Sequence, residues 1–130
     1  HKTFYVQWKN EYEEYVQAQL RALQSGDYEK LAWVNALTTE MIYTQPVVYE
    51  LKNIKVPTAL IIGQKDQAAL GKVQTTASFN DAAANYVELS KKIVREIPDA
   101  RLIPFEHTGH IPHIEAPAKF NSTLIAFLNR

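Results

Sequence analysis

The sequence contains no cysteine, only four glycines and no excess of charge of either sign. Without thiols the protein cannot form disulfides, ligate zinc through cysteine or use a thiol nucleophile, although secreted proteins can also lack cysteine and the compartment stays open. Because 14 basic and 14 acidic residues cancel, the basic surface that nucleic acid or an anionic membrane selects is not expected. No apolar run approaches the roughly 20 residues of a transmembrane helix. We therefore expect a small, uncharged molecule as the partner, and neither nucleic acid nor a membrane.

At 130 residues, the chain is long enough to bury roughly two-thirds of its unfolded surface in a core. Residues 1–50 show helical periodicity, with a break at Ser25-Gly26-Asp27 and an end at Gln45, before Pro46. We expect this helical unit to pack its apolar stripes into a core, or to form a lid over a substrate pocket. The stripe residues are Tyr12, Tyr15, Val16, Leu20 and Leu23, then Leu31, Val34, Leu37, Met41 and Ile42.

Residues 51–130 change period and predict an α/β unit. The run from Thr58 to Ile62 is short, apolar and bounded by Pro57 and Gly63, which is typical of a strand buried on both faces of a parallel sheet. A helix over residues 80–97, a strand over 100–106 and a helix over 116–129 follow. The order strand, helix, strand, helix predicts a right-handed crossover between parallel strands.

Chemically useful side chains follow each predicted strand. Asp66 stands three residues after Gly63, and His110 stands directly after Gly109. Because ligands in open α/β sheets bind beyond the carboxyl ends of the strands, we expect both side chains at one site. A carboxylate that orients an imidazole is the acid and base pair of a nucleophilic triad.

Three histidines lie within seven residues, at His107, His110 and His113, which raises the alternative of a metal site. Three ligand nitrogens must converge on a metal, but Gly109 and Pro112 prevent the continuous helix that would align them. We therefore interpret His110 as the catalytic base and the other two as neighbours, and we predict no metal.

Two segments of the chain resemble the C-terminal part of the α/β-hydrolase-fold superfamily. The segments are "VPTALIIGQKD" and "GHIPHIEAPAKFNSTLIAFL", within residues 51 to 130. The resemblance implies that Asp66 is the triad acid, that His110 is the triad base and that residues 1–50 are part of a helical cap. It implies hydrolysis without a cofactor and an incomplete α/β-hydrolase fold.

The nucleophile that the resemblance implies is absent from this chain. Members of the family carry a serine in Gly-x-Ser-x-Gly, whereas Ser25, Ser78, Ser90 and Ser122 have other surroundings. We expect the chain to be the C-terminal part of a longer esterase-like hydrolase, to be inactive alone, and to self-associate or to associate with the missing N-terminal part. A parent with an aspartate nucleophile, such as a dehalogenase or epoxide hydrolase, and a non-enzymatic ligand-binding protein of the same fold are the alternatives.

Several further residues receive weaker interpretations. Trp8, Trp33 and His107 are candidate substrate contacts, with packing in the core as the alternative for the tryptophans. Glu106 is the second candidate for the triad acid, because 43 residues separate Asp66 from His110 and the predicted crossover is long. Glu115 is expected in the first turn of the last helix, where an acid favours the positive helix end.

Overall fold

The computed structural model describes residues 4–66, 68 and 85–130. This part of the chain contains α-helices and a pair of parallel strands, so the fold is mixed α/β. A 3₁₀ helix, Asn10–Tyr12, precedes the first α-helix, and another, Val47–Asn53, precedes the first strand. The regular elements are α1 (Glu13–Leu23), α2 (Tyr28–Thr44), β1 (Thr58–Gly63), α3 (Tyr86–Glu96), β2 (Ala100–Phe105), α4 (Pro112–Glu115) and α5 (Pro117–Leu128).

The chain divides into two compact units. One unit comprises Trp8–Leu51, and the other comprises the residues up to Gln7 together with Lys52–Arg130. The N-terminal residues therefore belong to the unit that contains the strands. The assignment of residues 1–50 to a cap domain remains a prediction.

Most residues of the predicted apolar stripes are exposed in the helical unit, whereas Tyr12, in the 3₁₀ helix before α1, is buried. Helices α1 and α2 contain no buried residue, and Leu23, Val34 and Met41 are each more than half exposed. The expectation that these stripes pack into a core is therefore wrong for this structure, because an amphipathic face is buried only when another element covers it. Neither helix, nor any other in the described part of the chain, is long and apolar enough to cross a membrane.

Strands β1 and β2 pair in parallel, with Thr58 opposite Ala100 and Gly63 opposite Phe105. The parallel pairing predicted from the crossover is confirmed. Helix α3 lies against both strands, and its first turn is capped by the Asn85 side chain, which accepts a hydrogen bond from the Glu88 backbone N–H at 3.1 Å. This helix was predicted to begin at residue 80, and residues 80–84 lie outside the described part of the chain.

The buried apolar residues of the strand-containing unit include one at the carboxyl end of β2 and one shortly before its first residue. Phe105 is fully buried and contacts the ring of Phe120 on α5, and Ile97 is also buried. Strand β1 was predicted to be buried on both faces, but Thr58 through Ile62 are half-buried. The expectation of burial on both faces is therefore wrong for the described residues.

The chain after β2 contains a short helix that the sequence analysis did not predict. Helix α4 ends at Glu115, and Pro117 begins α5, where a proline at the first helical position is compatible with the missing N–H. Glu115 is therefore not in the first turn of the last helix, and the predicted interaction with that helix end is replaced by the hydrogen bonds described below.

Candidate active site

The loops that follow β1 and β2 are hydrogen-bonded to each other through their backbones. The Gln64 N–H donates to the Phe105 carbonyl oxygen at 2.9 Å, and the Lys65 N–H donates to the Thr108 carbonyl oxygen at 3.0 Å. The strand pairing thus continues past Gly63 into the loop that carries Asp66. This arrangement brings the two loops together at one edge of the sheet, as is expected for a site at the carboxyl ends of parallel strands.

Asp66 and His110 form a direct hydrogen bond at this edge. His110 Nδ1 lies 2.8 Å from Asp66 Oδ2, although 43 residues separate the two in sequence. The other carboxylate oxygen of Asp66 accepts the Ala68 backbone N–H at 2.8 Å. Because a carboxylate oxygen accepts, Nδ1 is the nitrogen that carries the hydrogen, which leaves Nε2 as the basic nitrogen of the neutral ring.

The two side chains differ in exposure. The Asp66 side chain is 8% exposed, whereas the His110 side chain is 42% exposed. An inner carboxylate that holds an accessible imidazole is the geometry in which an acid orients a general base.

Glu115 holds the loop that presents His110. One carboxylate oxygen of Glu115 accepts the Gly109 N–H, and the other accepts the Val6 N–H at 2.8 Å. The His110 N–H donates to the Phe4 carbonyl oxygen at 2.7 Å. The N-terminal residues and the histidine loop are therefore joined directly by one hydrogen bond, and a second link runs through the Glu115 carboxylate, which accepts one N–H group from each of them.

Among the described residues, Phe4 and Tyr86 place aromatic rings beside the His110 imidazole. The Phe4 ring centroid lies 5.0 Å from that of His110, and the Tyr86 ring centroid lies 6.1 Å away. Burial raises the pKa of the Tyr86 hydroxyl, and the Asp66 carboxylate raises it further. The Tyr86 hydroxyl group is therefore in the electrostatic field of the same carboxylate that binds the histidine.

The three clustered histidines have different partners. His110 binds Asp66, the His113 ring packs against Phe120 at 5.6 Å, and the His107 side chain is 92% exposed with Nε2 at 4.0 Å from Glu106. Within the described residues, no group of three or more histidine, aspartate or glutamate side chains could hold a metal ion.

Glu106, the second candidate for the triad acid, lies away from His110 Nδ1, which is occupied by Asp66. Its side chain is 77% exposed, and its carboxylate lies 4.0 Å from His107 Nε2, which makes at most a weak ion pair. The geometry favours Asp66 over Glu106 as the group that orients His110.

The candidate substrate contacts lie in both units. Trp8 and Trp33 belong to the helical unit, where the Trp8 ring meets the ring of Tyr12 edge-on at 5.9 Å and Trp33 on α2 is 68% exposed. His107 belongs to the strand-containing unit. Their contact with a substrate remains a prediction.

The described serines donate hydrogen bonds within their own helices or turns. Ser25 Oγ donates to the Ala22 carbonyl oxygen at 2.7 Å, Ser90 Oγ to Val87 at 2.8 Å and Ser122 Oγ to Lys119 at 3.0 Å. Ser78 and most of the predicted long crossover, residues 70–86, lie outside the described residues. In the part of the chain that the structure describes, no serine is hydrogen-bonded to His110.

One solved structure is similar to this chain over nearly all of its length. It is the crystal structure of a probable hydrolytic enzyme from Pseudomonas aeruginosa PAO1, with a TM-score of 0.90 and 41% sequence identity. The match covers 96% of this chain and 40% of that protein's chain. This chain has the fold of the matching part of that protein. No protein-family model matches the sequence, and no curated protein matches it.

Three features of the site were missed by the sequence analysis. Phe4 and Tyr86 were not recognised as neighbours of His110, and Glu115 was assigned to a helix end. Phe4 and Tyr86 are distant from His110 in sequence, and no spacing rule connects them to it. Glu115 carried a signal, since an acid shortly after Gly109 can accept the N–H groups of the preceding loop.

Proposed function

We propose that this chain supplies the acid and the base of a hydrolase triad, with Asp66 as the acid and His110 as the base. The observation that carries the proposal is the 2.8 Å contact between Asp66 Oδ2 and His110 Nδ1. The 8% exposure of the Asp66 side chain and the 42% exposure of the His110 side chain support the same roles. A carboxylate bound to Nδ1 keeps the imidazole in the tautomer whose Nε2 can accept a proton.

We further propose that the chain is the C-terminal part of an α/β-hydrolase-fold enzyme, with the helical unit as part of its cap. The similarity to a probable hydrolytic enzyme at 41% identity supports this proposal, as does the order of Gly63-x-x-Asp66 before Gly109-His110. Because the chain spans about two fifths of that protein's length, the nucleophile is assigned to the remainder of the parent protein. By itself, the chain lacks the group that the base would activate, and we expect it to be inactive.

In the parent enzyme, the nucleophile is a serine hydroxyl. His110 Nε2 takes the hydroxyl proton while the serine oxygen attacks the carbonyl carbon of the substrate, and the imidazolium then donates that proton to the leaving group. His110 next takes a proton from water, whose oxygen attacks the acyl carbon. The bond between that carbon and the serine oxygen then breaks, the acid product leaves, and the imidazolium gives the proton from water to the serine oxygen. Asp66 stabilises the imidazolium in both halves of the reaction, and no cofactor enters these steps.

The substrate that this chemistry fits best is a small, apolar ester or amide. The balanced charge of the chain provides no general attraction for a polyanion. Trp8, Trp33 and His107 are the proposed contacts to such a substrate, since aromatic side chains offer apolar area with a polar edge.

The proposal is tested by labelling with a fluorophosphonate, which reacts with activated serines. The probe is applied to this chain and to the intact parent protein, with His110→Ala and His113→Gln variants of the parent. We expect labelling of the parent and of His113→Gln, and loss of labelling in His110→Ala and in the isolated chain.

The other outcomes would redirect the proposal. If the parent does not label, a serine nucleophile is excluded, and hydrolysis of haloalkanes or epoxides then separates an aspartate-nucleophile enzyme from a non-enzymatic ligand-binding protein. Labelling of the isolated chain would place the nucleophile within these 130 residues and refute its assignment to the remainder of the parent.

A further inference from the structure

Within the described residues, the side chain hydrogen-bonded to the His110 imidazole is Asp66, and the His110 side chain is 42% exposed. The torsion between Cβ and the ring of histidine is broad and roughly two-fold, so a half-turn of the ring costs little by itself. That half-turn would replace Nδ1 by a carbon opposite Asp66 Oδ2 and would break the hydrogen bond. Something besides Asp66 must therefore restrict the ring for the pair to stay assembled.

Phe4 and Tyr86 are placed to restrict it. Their ring centroids lie 5.0 Å and 6.1 Å from that of His110, at interplanar angles of 41° and 59°. These values lie within the range of favourable aromatic contacts, roughly 4.5 to 7 Å between centroids in tilted arrangements. Neither ring is an immediate sequence neighbour of His110, so both contacts are made by tertiary structure.

The backbone at each aromatic residue is held in place. Phe4 accepts the His110 N–H through its carbonyl oxygen at 2.7 Å, and two residues later the Val6 N–H donates to Glu115 at 2.8 Å. Tyr86 is the first residue of α3, directly after the capping residue Asn85. Each ring is thus attached to backbone with a defined position, which a group that orients another side chain requires.

We propose that Phe4 and Tyr86 are positioning residues, which hold the His110 ring in the orientation that keeps Nδ1 on Asp66. The proposal rests on the triad roles of His110 and Asp66 given above. Where the two rings replace water beside the imidazole, they lower the local dielectric constant and strengthen the Nδ1 to Oδ2 hydrogen bond. They also favour the imidazolium that forms during the reaction, because a cation near an aromatic ring is stabilised by the ring quadrupole. The raised pKa of Tyr86, caused by burial and then by Asp66, agrees with this location.

The test compares Tyr86→Leu, Phe4→Leu and Tyr86→Phe in the intact parent protein, with Tyr43→Leu as the control. Tyr43 lies on α2 and is 69% exposed. We expect Tyr86→Leu and Phe4→Leu to lower kcat by roughly tenfold to a hundredfold, the scale on which misplaced catalytic groups act. KM is expected to change much less, because the rings orient the base and do not contact the substrate. Tyr86→Phe retains the ring and should restore wild-type kcat, and Tyr43→Leu should have no effect.

A second measurement does not depend on turnover. Nitrogen-15 NMR of the labelled histidine rings reports which ring nitrogen carries the hydrogen, with the His110 signals assigned from His110→Ala. The wild-type protein and Tyr86→Phe should hold the hydrogen on Nδ1, whereas both leucine variants should show a mixture of the two tautomers. Backbone amide spectra identify a variant that has lost its fold. If one leucine variant is unfolded, the other leucine variant is compared with wild type and with Tyr86→Phe, and its tautomer decides whether the positioning role holds.

The two proposals fail in different ways. Wild-type kcat and an unchanged tautomer in both leucine variants would overturn the positioning role, whether or not the parent labels with fluorophosphonate. A parent without serine reactivity whose His110 tautomer still depends on Phe4 and Tyr86 would retain the positioning role and refute the proposed serine chemistry.

Discussion

Both carboxylate oxygens of Asp66 are used, one by the Ala68 N–H and one by His110 Nδ1, each at 2.8 Å. The hydrogen bond from the Ala68 N–H holds the Asp66 side chain independently of its contact with the imidazole. An acid held in this way orients a base with little loss of its own entropy. The group at this position is therefore one determinant of the His110 tautomer.

We predict that Asp66→Asn in the parent enzyme lowers kcat by about 10⁴-fold with little change in KM, because an amide can bind the wrong tautomer of the imidazole. Steady-state kinetics with a small activated ester measures this effect. Glu106→Gln is the matched control, since the Glu106 side chain is exposed and its ion-pair contact is with His107, not with His110 Nδ1. The assignment of the acid would be contradicted if kcat fell less than tenfold in Asp66→Asn, or if kcat fell further in Glu106→Gln than in Asp66→Asn.

Tyr86 provides a pH-dependent prediction at the same scale. Burial and then the Asp66 charge raise the pKa of its hydroxyl above the ordinary value, so on raising the pH the unfolded chain ionises first. The stability that Tyr86 contributes is complete below the ordinary pKa of about 10 and is lost as the pH rises through the higher folded value.

The measurement is the difference in near-ultraviolet tyrosinate absorbance between wild type and Tyr86→Phe during an alkaline titration. We expect the Tyr86 midpoint to lie above the ordinary tyrosine value and to move down in Asp66→Asn. The move should be incomplete because burial is the larger cause. A midpoint at or below the ordinary value would contradict the described environment.

At the scale of elements, Glu115 joins α4, the histidine loop and the N-terminal residues. We predict that Glu115→Ala lowers the free energy of unfolding by about 1–3 kcal/mol, because two backbone N–H groups lose a charged acceptor. Chemical denaturation measures the change, and hydrogen exchange at Gly109 and Val6 should accelerate. Glu106→Ala, an exposed glutamate, should stay within about 0.5 kcal/mol. Equal effects in the two variants would show that the Glu115 hydrogen bonds contribute nothing measurable.

The close approach of the two strand-end loops depends on Gly63. A Cβ atom at this position would overlap the Gly109 carbonyl oxygen and lie 2.6 Å from the Thr108 carbonyl oxygen. Because both obstacles are backbone atoms, no side-chain rotation can relieve the clash, and the loops that carry Asp66 and His110 would have to separate.

We therefore predict that Gly63→Ala destabilises the chain by at least about 3 kcal/mol, the upper range for overpacking, and shifts the His110 NMR signals. Gly26→Ala is the control, since nothing lies within 4 Å of a Cβ atom there. Denaturation of both variants compares them. A Gly63→Ala variant as stable as Gly26→Ala would refute the requirement for glycine.

At the scale of the whole molecule, the described strands form a sheet of two. Such a sheet has unpaired backbone groups on both outer edges, and small sheets seldom persist without further strands or a partner. The exposed apolar residues of α1 and α2 add a second surface that water does not favour.

We predict that this chain, produced alone, self-associates, and that co-expression with the remainder of the parent yields a defined complex. Sedimentation velocity distinguishes the two states, and a monomer with cooperative unfolding would contradict the expectation. A matched variant is Val34→Lys on the exposed face of α2. It should reduce self-association if that face contributes to it.

Sequence reasoning recovered the parts of the fold that local patterns encode. Strand β1 was anticipated because an apolar run stands between Pro57 and Gly63, and the end of α2 was anticipated from Pro46. The site pair of Asp66 and His110 followed from the rule that ligands bind at the carboxyl ends of parallel strands. Local patterns do not encode which other element covers an apolar face. The exposure of α1 and α2 and the incomplete burial of β1 were therefore not anticipated.

Apolar periodicity and chain-breaking residues, which lie close together in the sequence, predicted α1, α2, α3, α5 and both strands, and general rules for α/β folds then led to the parallel pairing and to the pair of Asp66 and His110. The tertiary structure alone decided which groups surround that pair. Phe4, Tyr86 and the two hydrogen bonds of Glu115 meet His110 or its loop through contacts between distant segments. Such contacts arise from packing in three dimensions, and no periodicity or spacing in the chain records them.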